Sequence, residues 1–464
     1  MSSQLADPTY QGDLGNGLVR RWSTAADLAK IADCLGTVFR PAADAPLNVR
    51  AADEVRILSN GAHPFMGPED WAIVEDTGLP DSPVVACTCC WSHTWSYGGI
   101  PFGVGQPELV ATRPAYRKRG LVRAVFEMAH ARSTAKGELM QVITGIPYFY
   151  RQFGYEYAID LEGHRTVVAA DVPAAKEDEP ELYSLRLATV ADIPHLQALY
   201  NQERGKSLLW HETDDAYWRA HLTSWDDPAI QGKEVTQIGM IGPLRMIVDK
   251  DGAVCGYIWL AARRWSSGLR VLALQLYPQV NWPQVMPALL RAIRAHGEQT
   301  PAVRPDAKPF REIVFVLGRS HPAYTVLGEK LAPRGEPPYA WYVRVADLPG
   351  FLRHVAPVLE QRLANSIAAG HTGELVIDFY RGGLRLQFEQ GKLAAAEPWQ
   401  QPDYGDDPPA GCPPLVFLQL LLGHRSLADL RAIFPDVYAE PEAALLIDIL
   451  FPKRTSAMAW MSYT

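Results

Sequence analysis

The chain has 464 residues, 44 of them Lys or Arg and 52 Asp or Glu, for a formal net charge of −8. That length is too great for one hydrophobic core, so two or three domains are expected, and the acidic balance argues against a nucleic-acid binder, which needs a basic face. No run of about eighteen apolar residues occurs, and the start, MSSQLADPTYQGDLG, lacks the basic-then-apolar layout of a secretory leader, so no membrane association and a cytoplasmic location are expected.

Two stretches match at one constant offset. RWSTAADLAKI (21–31) and RLATVADIPHL (186–196) share Arg21/Arg186, Thr24/Thr189, Ala26/Ala191 and Asp27/Asp192. Each reads as a strand end, a threonine helix cap and an acidic first turn. In the first half the strands DWAIVEDT, PVVACTCCWS and GVGQPELVAT follow. Next come a helix from about Arg119, the strand ELMQVITG and a short helix around Tyr148 to Phe153. The acidic, proline-bearing 169–183 reads as a linker. The second half continues with a hairpin around Asp251-Gly252, the strand LRVLALQLYP and the helix VMPALLRAIRAH. A third unit starts near Leu348 with an amphipathic helix, GFLRHVAPVLEQRLAN. A three-run meander, the apolar helices PPLVFLQLLLGH and PEAALLIDILFP, and a loop over 404–411 complete it.

Cys87, Cys89 and Cys90 lie in one alternating strand, so Cys87 and Cys89 share a face and Cys90 takes the other. Cys34, Cys255 and Cys412 are scattered singly. A metal site pairs two such clusters, so these read as small buried apolar side chains and no metal is expected.

The stretch that carries chemistry is ATRPAYRKRGLV (111–122). Arg113, Arg117, Lys118 and Arg119 crowd together without a carboxylate, and Gly120 opens an apolar helical pattern. Basic charge at a helix start opposes the helix dipole. Its presence there points to an anion, which would take the free N–H groups of the first turn. The loop is neither a Walker sequence, since no Gly-Lys-Ser/Thr follows, nor a dinucleotide fingerprint with three spaced glycines.

Arg117-Lys118-Arg119-Gly120-Leu121-Val122 resembles the coenzyme A pyrophosphate motif of the GNAT acetyltransferases, with Val122 where most members have Gly or Ala. Followed by ITGIPYFYRQFGYEYA, with its Tyr150 to Tyr155 signature, the chain resembles the Eis-type (enhanced intracellular survival) subfamily over nearly its whole length. The resemblance implies an α+β fold. Residues 1–168 would be a catalytic GNAT domain, 169–183 a linker and 184–347 a degenerate second GNAT domain. Residues 348–464 would be a domain like sterol carrier proteins.

It further implies acetyl-CoA as donor. Val110, Ala111 and Thr112 would pair with the pantetheine arm, and residues 117–122 would hold the pyrophosphate. Gly145 and Ile146 would lie along the thiol end. Tyr150 would be the general acid, with Tyr155 as runner-up, and the terminal carboxylate of Thr464 would be the base. Members often end in an aromatic residue; here Tyr463-Thr464 follow Trp460 and Met461, and other carboxylates are alternative bases. Acyl transfer to an amine needs that amine deprotonated and the leaving thiolate protonated, which a carboxylate and a phenol can supply.

The implied reaction is acetyl transfer to a primary amine, whether aminoglycoside, polyamine or lysine-type, by direct attack in a ternary complex. The alternative is a lipid- or hydrophobe-binding protein acting through its C-terminal helices. The acceptor would be a small-molecule or peptide amine, and the resembled subfamily includes hexamers. Asn281-Trp282-Pro283 stand where the second half would need basic residues and glycine, so no coenzyme A is expected there.

Overall fold

The computed structural model describes every residue except 1, 62, 176–179, 227–240, 304–307, 403–406, 455, 457 and 459–464. The fold is α+β, with mixed sheets flanked by helices. The first half supplies β1 (Gln11–Gly15), β2 (Leu18–Trp22), β3 (Trp71–Asp76), β4 (Val84–Tyr97), β5 (Ile100–Thr112), β6 (Met140–Ile143), β7 (Glu156–Leu161) and β8 (His164–Val168). The second half supplies β9 (Tyr183–Leu187), β10 (Leu209–His211), β11 (Ile241–Asp249), β12 (Val254–Ala261), β13 (Gly268–Leu276), β14 (Glu312–Phe315), β15 (Arg334–Glu336) and β16 (Tyr339–Arg344).

These strands form two sheets that trade members. One runs β1-β2-β3-β4-β5-β6-β16-β7 with β10 on β4, and the other β15-β8-β14-β13-β12-β11-β9. In each sheet a parallel pair, β5 with β6 or β13 with β14, is followed by an antiparallel strand that arrives from the other half. Thus β8, at the end of 1–168, lies in the second sheet, and β16, near the end of 184–347, lies in the first. Arg344 of β16 donates to Gln141 of β6 at 2.7 Å, which ties the guest strand to its host.

The sequence repeat is a repeated lock. Thr24 and Thr189 both sit at φ −125°, ψ 170°, each closing a capping box with the aspartate three residues on. Arg21 then grips Asp27 with two nitrogens, at 2.8 and 2.7 Å, as Arg186 grips Asp192, at 2.8 and 2.6 Å. Two parallel N–H···O bonds fix orientation as well as charge, so strand end and helix start are set at one angle in both halves.

Helices cover the two faces of the first sheet. Cys87 and Cys89 pack with the helices Leu28–Val38 and Val49–Leu58, whereas Cys90 packs with the helix Leu121–Ala135. All six thiols are buried. Among the described residues no group of three or more His, Cys, Asp or Glu side chains is placed to hold a metal. No described helix is long and apolar enough to cross a membrane.

The third sheet is the expected meander, Gly373–Asp378, Gly383–Glu389 and Lys392–Trp399, extended by two short strands, Ala410–Gly411 and Tyr438–Ala439. Gly411 thus pairs as a strand within the expected 404–411 loop, of which 403–406 lie outside the described residues. The expected single helix over 350–365 is two, Leu348–His354 and Ala356–Ala364. Pro357 is the cause, because it has no N–H to bond the Arg353 carbonyl and its ring crowds that carbonyl, so it is tolerated only in the first turn of a new helix. Phe351, Leu359, Phe417, Leu421 and Leu450 then join Trp95, Phe102 and Met140 of the first sheet in one buried core. Tyr97 seals the junction, donating its hydroxyl to the Leu421 carbonyl at 2.8 Å.

Candidate functional site

The helix Leu121–Ala135 is held by its apolar stripe, with Leu121, Val125, Phe126 and Met128 buried against the first sheet. Its first three N–H groups have no intrahelical partner, and no side chain caps them. Gly120, the residue before it, has φ +76° and open space where a Cβ would be. The left-handed turn is what calls for glycine here, since no protein atom crowds the position. Lys118 is also left-handed, at φ +63°, and left-handed residues in a loop can bring successive N–H groups to one side, a geometry suited to anions. Arg117, Lys118 and Arg119 are exposed around it, with Arg119 braced over the Tyr116 ring at 5.0 Å. Arg113 is not part of this group: it is paired with Asp33 at 2.5 Å and donates to the Val84 carbonyl.

Beside the loop the first sheet splits. β5 and β6 pair only at Val104 with Met140 and Gly105 with Gln141, although β5 runs on to Thr112. The β5 edge from Gln106 onward has no strand partner on that side among the described residues, which frees peptide groups for a ligand laid along it. On the other side a β-bulge sets Leu109 and Val110 against Thr88 alone, between the pairs Cys89–Glu108 and Cys87–Ala111. Leu109 is left-handed there, at φ +52°. Bulges re-aim side chains and collect at active sites. Ala111 is buried, Val110 is partly buried, and the Thr112 hydroxyl is buried without a hydrogen-bond partner among the described residues.

Glu108 bridges the split. Its carboxylate accepts from Gln106 at 2.9 Å and, at 3.4 Å, from the hydroxyl of Thr144, just past β6. Removal from water pushes this carboxyl up to about 7. Sequence reasoning did not single Glu108 out, yet a signal was present: it is the one carboxylate in the strand Ile100–Thr112.

Tyr150 opens a short 3-10 turn, Tyr150–Phe153, and is 4% exposed. Its ring edge and hydroxyl lie 3.9 Å from where a Cβ on Gly145 would stand. Burial and the nearby Glu108 raise its phenol above the usual value, and among the described residues its hydroxyl makes no hydrogen bond. Tyr155 differs. It is wholly buried, and its hydroxyl is bonded to His130 at 2.8 Å, so it is a packed core residue with its polar end satisfied.

The connection between β6 and Tyr150 is held from below. Gly145 takes φ +116°, and Ile146 is 57% exposed. Tyr342 of β16 donates to the Ile146 carbonyl at 3.3 Å and shares a 2.6 Å hydrogen bond with the Tyr157 hydroxyl, while the Tyr148 N–H donates to Tyr157 at 2.9 Å. Of the residues named from the sequence, Val110 to Thr112 and 117–122 lie along β5 and the loop after it, and Gly145, Ile146 and Tyr150 line the other arm. Thr464, with Trp460, Met461 and Tyr463, lies outside the described residues.

The matching place in the second half offers fewer free donors. The helix Trp282–Gln299 begins at Asn281, whose own side chain accepts from the Gln284 N–H at 3.4 Å, and Pro283 removes another donor.

Comparison with known proteins agrees with this geometry. Residues 20–158 match the profile of the family described as "Acetyltransferase (GNAT) domain". That stretch is a GNAT acetyltransferase domain. The chain is therefore an enzyme of the acetyltransferase class, and GNAT domains take acetyl-CoA as donor. No curated protein sequence matches the chain significantly. By structure it resembles a probable N-acyltransferase of Enterococcus faecalis, 14% identical, with 95% of this chain and 98% of that one covered at a TM-score of 0.62. It also resembles a GCN5-related N-acetyltransferase of Kribbella flavida, 18% identical, with 96% and 98% covered at 0.60. Eis1 of Mycobacterium abscessus is 14% identical, with 96% and 100% covered at 0.55. These likenesses extend the shared fold beyond the GNAT domain to nearly the whole chain.

Proposed function

We propose that the chain transfers acetyl from acetyl-CoA to a primary amine, by direct attack of the amine on the thioester in a ternary complex. The observation that carries the reading is Glu108 and Tyr150 flanking one split in the sheet, next to an uncapped helix start with three exposed basic residues. Arg117 to Val122 hold the pyrophosphate, and Val110 to Thr112 pair with the pantetheine arm, the Thr112 hydroxyl gaining a partner. The thioester lies by Gly145 and Ile146. Glu108, with its carboxyl near 7, takes a proton from the attacking ammonium, and the Thr464 carboxylate is the alternative base. Tyr150, kept protonated, donates to the leaving thiolate. The acceptor is an aminoglycoside, polyamine or lysine-type amine.

The C-terminal unit, sterol-carrier-like in this reading, acts as a scaffold. Its apolar helices are packed into a common core with the first sheet, which disfavours a separate hydrophobe-carrying role. A cytoplasmic setting and a hexameric assembly belong to the same reading. The test is acetyl-CoA turnover against a panel of aminoglycosides, polyamines and lysine peptides. Release of free coenzyme A dependent on one amine class supports the proposal; no amine-dependent release across the panel overturns it.

A further inference from the structure

Three phenols meet beside the turn that carries Gly145 and Ile146. Tyr157 of β7 stands between Tyr342 and Tyr339 of β16, its hydroxyl 2.6 Å from the first and 2.7 Å from the second. The Tyr148 N–H reaches the same oxygen at 2.9 Å. Tyr148 is held there at φ +62°, a left-handed geometry that a residue with a side chain rarely takes. Tyr342 is buried, whereas Tyr339 is 44% exposed. The row of hydroxyls thus runs from solvent to the Ile146 carbonyl, 3.3 Å beyond Tyr342.

Each hydroxyl has one proton to give, and the Ile146 carbonyl only accepts. For Tyr342 to serve that carbonyl, Tyr157 must donate to Tyr342, and Tyr339 to Tyr157. Once Tyr157 has lost its proton, its oxygen accepts from Tyr342, Tyr339 and the Tyr148 N–H together, and the Ile146 carbonyl loses its donor. Donors converging on one oxygen favour its anion. Partial burial favours the neutral phenol, yet donation from Tyr339, Tyr342 and the Tyr148 N–H outweighs it and brings Tyr157 below its usual value. Burial and the neighbouring Tyr157 push Tyr339 up to about 12, and Tyr342 is raised for the same reasons, so Tyr157 ionises first of the three. The charged groups nearby are occupied. Glu156 opposes ionisation but is paired with Arg151 at 2.7 Å, and the Arg151 guanidinium lies over the Tyr148 ring at 4.9 Å. His424 and Arg319 are engaged with Asp160, at 3.4 and 2.9 Å. Tyr150 stands edge-on to Tyr342, with ring centroids 5.4 Å apart.

We propose that Tyr157 is a positioning residue for the turn at Gly145 and Ile146, and that its proton decides whether Tyr342 holds the Ile146 carbonyl or releases it. The role rests on the acetyl transfer proposed above, in which the thioester lies against this turn. With Tyr157 protonated, the turn is held at both Ile146 and Tyr148, and Tyr150 is set for the leaving sulfur. With Tyr157 ionised, its proton having gone to water, the Ile146 carbonyl is free and turnover falls.

The test uses the full chain with tyrosine labelled with carbon-13 at Cζ, the Tyr157 signal being assigned by its loss in Tyr157→Phe. In an NMR titration Tyr157 should ionise below the ordinary phenol value of about 10. Tyr339→Phe, a change at the exposed end of the row, should raise that midpoint by about one pH unit, the worth of one hydrogen bond. The kcat of the parent should fall on the alkaline side with the Tyr157 midpoint, and Tyr339→Phe should move that limb upward with it. Tyr157→Phe should lose the limb, with kcat about three- to tenfold lower at neutral pH. A Tyr157 midpoint at or above about 10, a midpoint that Tyr339→Phe leaves in place, or an alkaline limb that persists in Tyr157→Phe would each overturn the proposal. The titration needs no turnover, so a parent without amine-dependent release of coenzyme A overturns the reaction alone.

Discussion

Tyr342 and Tyr157 share a 2.6 Å hydrogen bond although 185 residues separate them in sequence. The bond exists because β16 enters the first sheet from beyond the second. Its practical effect is local: the two phenols together hold the Ile146 carbonyl and the Tyr148 N–H, on either side of the turn into Tyr150. Tyr342→Phe should leave the fold intact but loosen that turn. A three- to tenfold drop in kcat is expected, with the melting temperature lowered by only a few degrees, since a single net hydrogen bond is worth about 1 kcal/mol. Steady-state kinetics beside a thermal melt checks it.

The two tyrosines of the signature should separate cleanly. Tyr150→Phe removes a hydroxyl that has no hydrogen-bond partner among the described residues, so stability should hold while kcat falls by about 10²-fold or more, the scale of a general acid. Tyr155→Phe instead leaves His130 without its partner in a buried setting. It should cost about 1–3 kcal/mol of stability and little activity per folded molecule. Equal effects of both on kcat would remove the acid role from Tyr150.

Glu108 gives a pH signature. Its folded-state pKa of about 7 lies above the ordinary carboxyl value, so activity that needs the carboxylate should fall below pH 7. The sign for stability is opposite. At pH 8 both states are ionised, and the folded one bears the desolvation, so the carboxylate opposes folding there and ceases to do so as pH drops towards 4. Glu108→Gln should therefore flatten the acid limb of kcat/KM, lower its plateau, and raise stability at pH 8 by roughly 1–3 kcal/mol. An unchanged acid limb would favour the Thr464 carboxylate. That alternative has its own check, in which a few residues added after Thr464 should block turnover.

At the loop, Gly120→Ala meets no steric contact but must hold φ +76°. Strain of about 1 kcal/mol at that position should shift the helix start. The expected result is a several-fold rise in KM for acetyl-CoA with kcat little changed. Truncated donors such as acetyl-pantetheine, which lack the pyrophosphate, should show no such rise.

Acid should unfold the chain through its buried histidines. Burial pushes His63 down to about 4 and His211 and His221 to about 3, and His93 lies well below its usual value. Folded, they stay neutral; unfolded, they take up protons below pH 6.5. Stability present at pH 7 is thus lost as pH falls from about 6.5 towards 4, by about 1.4 kcal/mol per pH unit for each histidine. Urea midpoints at pH 7, 6 and 5 measure the slope, and a flat profile would contradict this burial.

Local pattern carried much of the architecture. The Thr24 and Thr189 caps, the hairpin at Gly252 and the three-run meander all rest on short-range chemistry that a sequence displays. The exchange of β8 and β16 rests on pairings between residues far apart, such as Tyr342 with Ile143, and no local periodicity encodes a choice of partner. The site divided the same way. The basic loop and Tyr150 announce themselves by composition and motif. Glu108 gains its raised pKa only from Gln106, Thr144 and the split between strands, so its meaning emerges with the fold.

The strand exchange also governs what happens if the backbone is cut. A protease acting between Val172 and Tyr183 would leave two fragments, each threaded through the other's sheet. β8 would stay paired with β14, and β16 with β6 and β7. Such a nicked enzyme would migrate as one particle until denatured, and a fragment made alone would lack an inner strand, β16 between β6 and β7 in the first and β8 between β14 and β15 in the second.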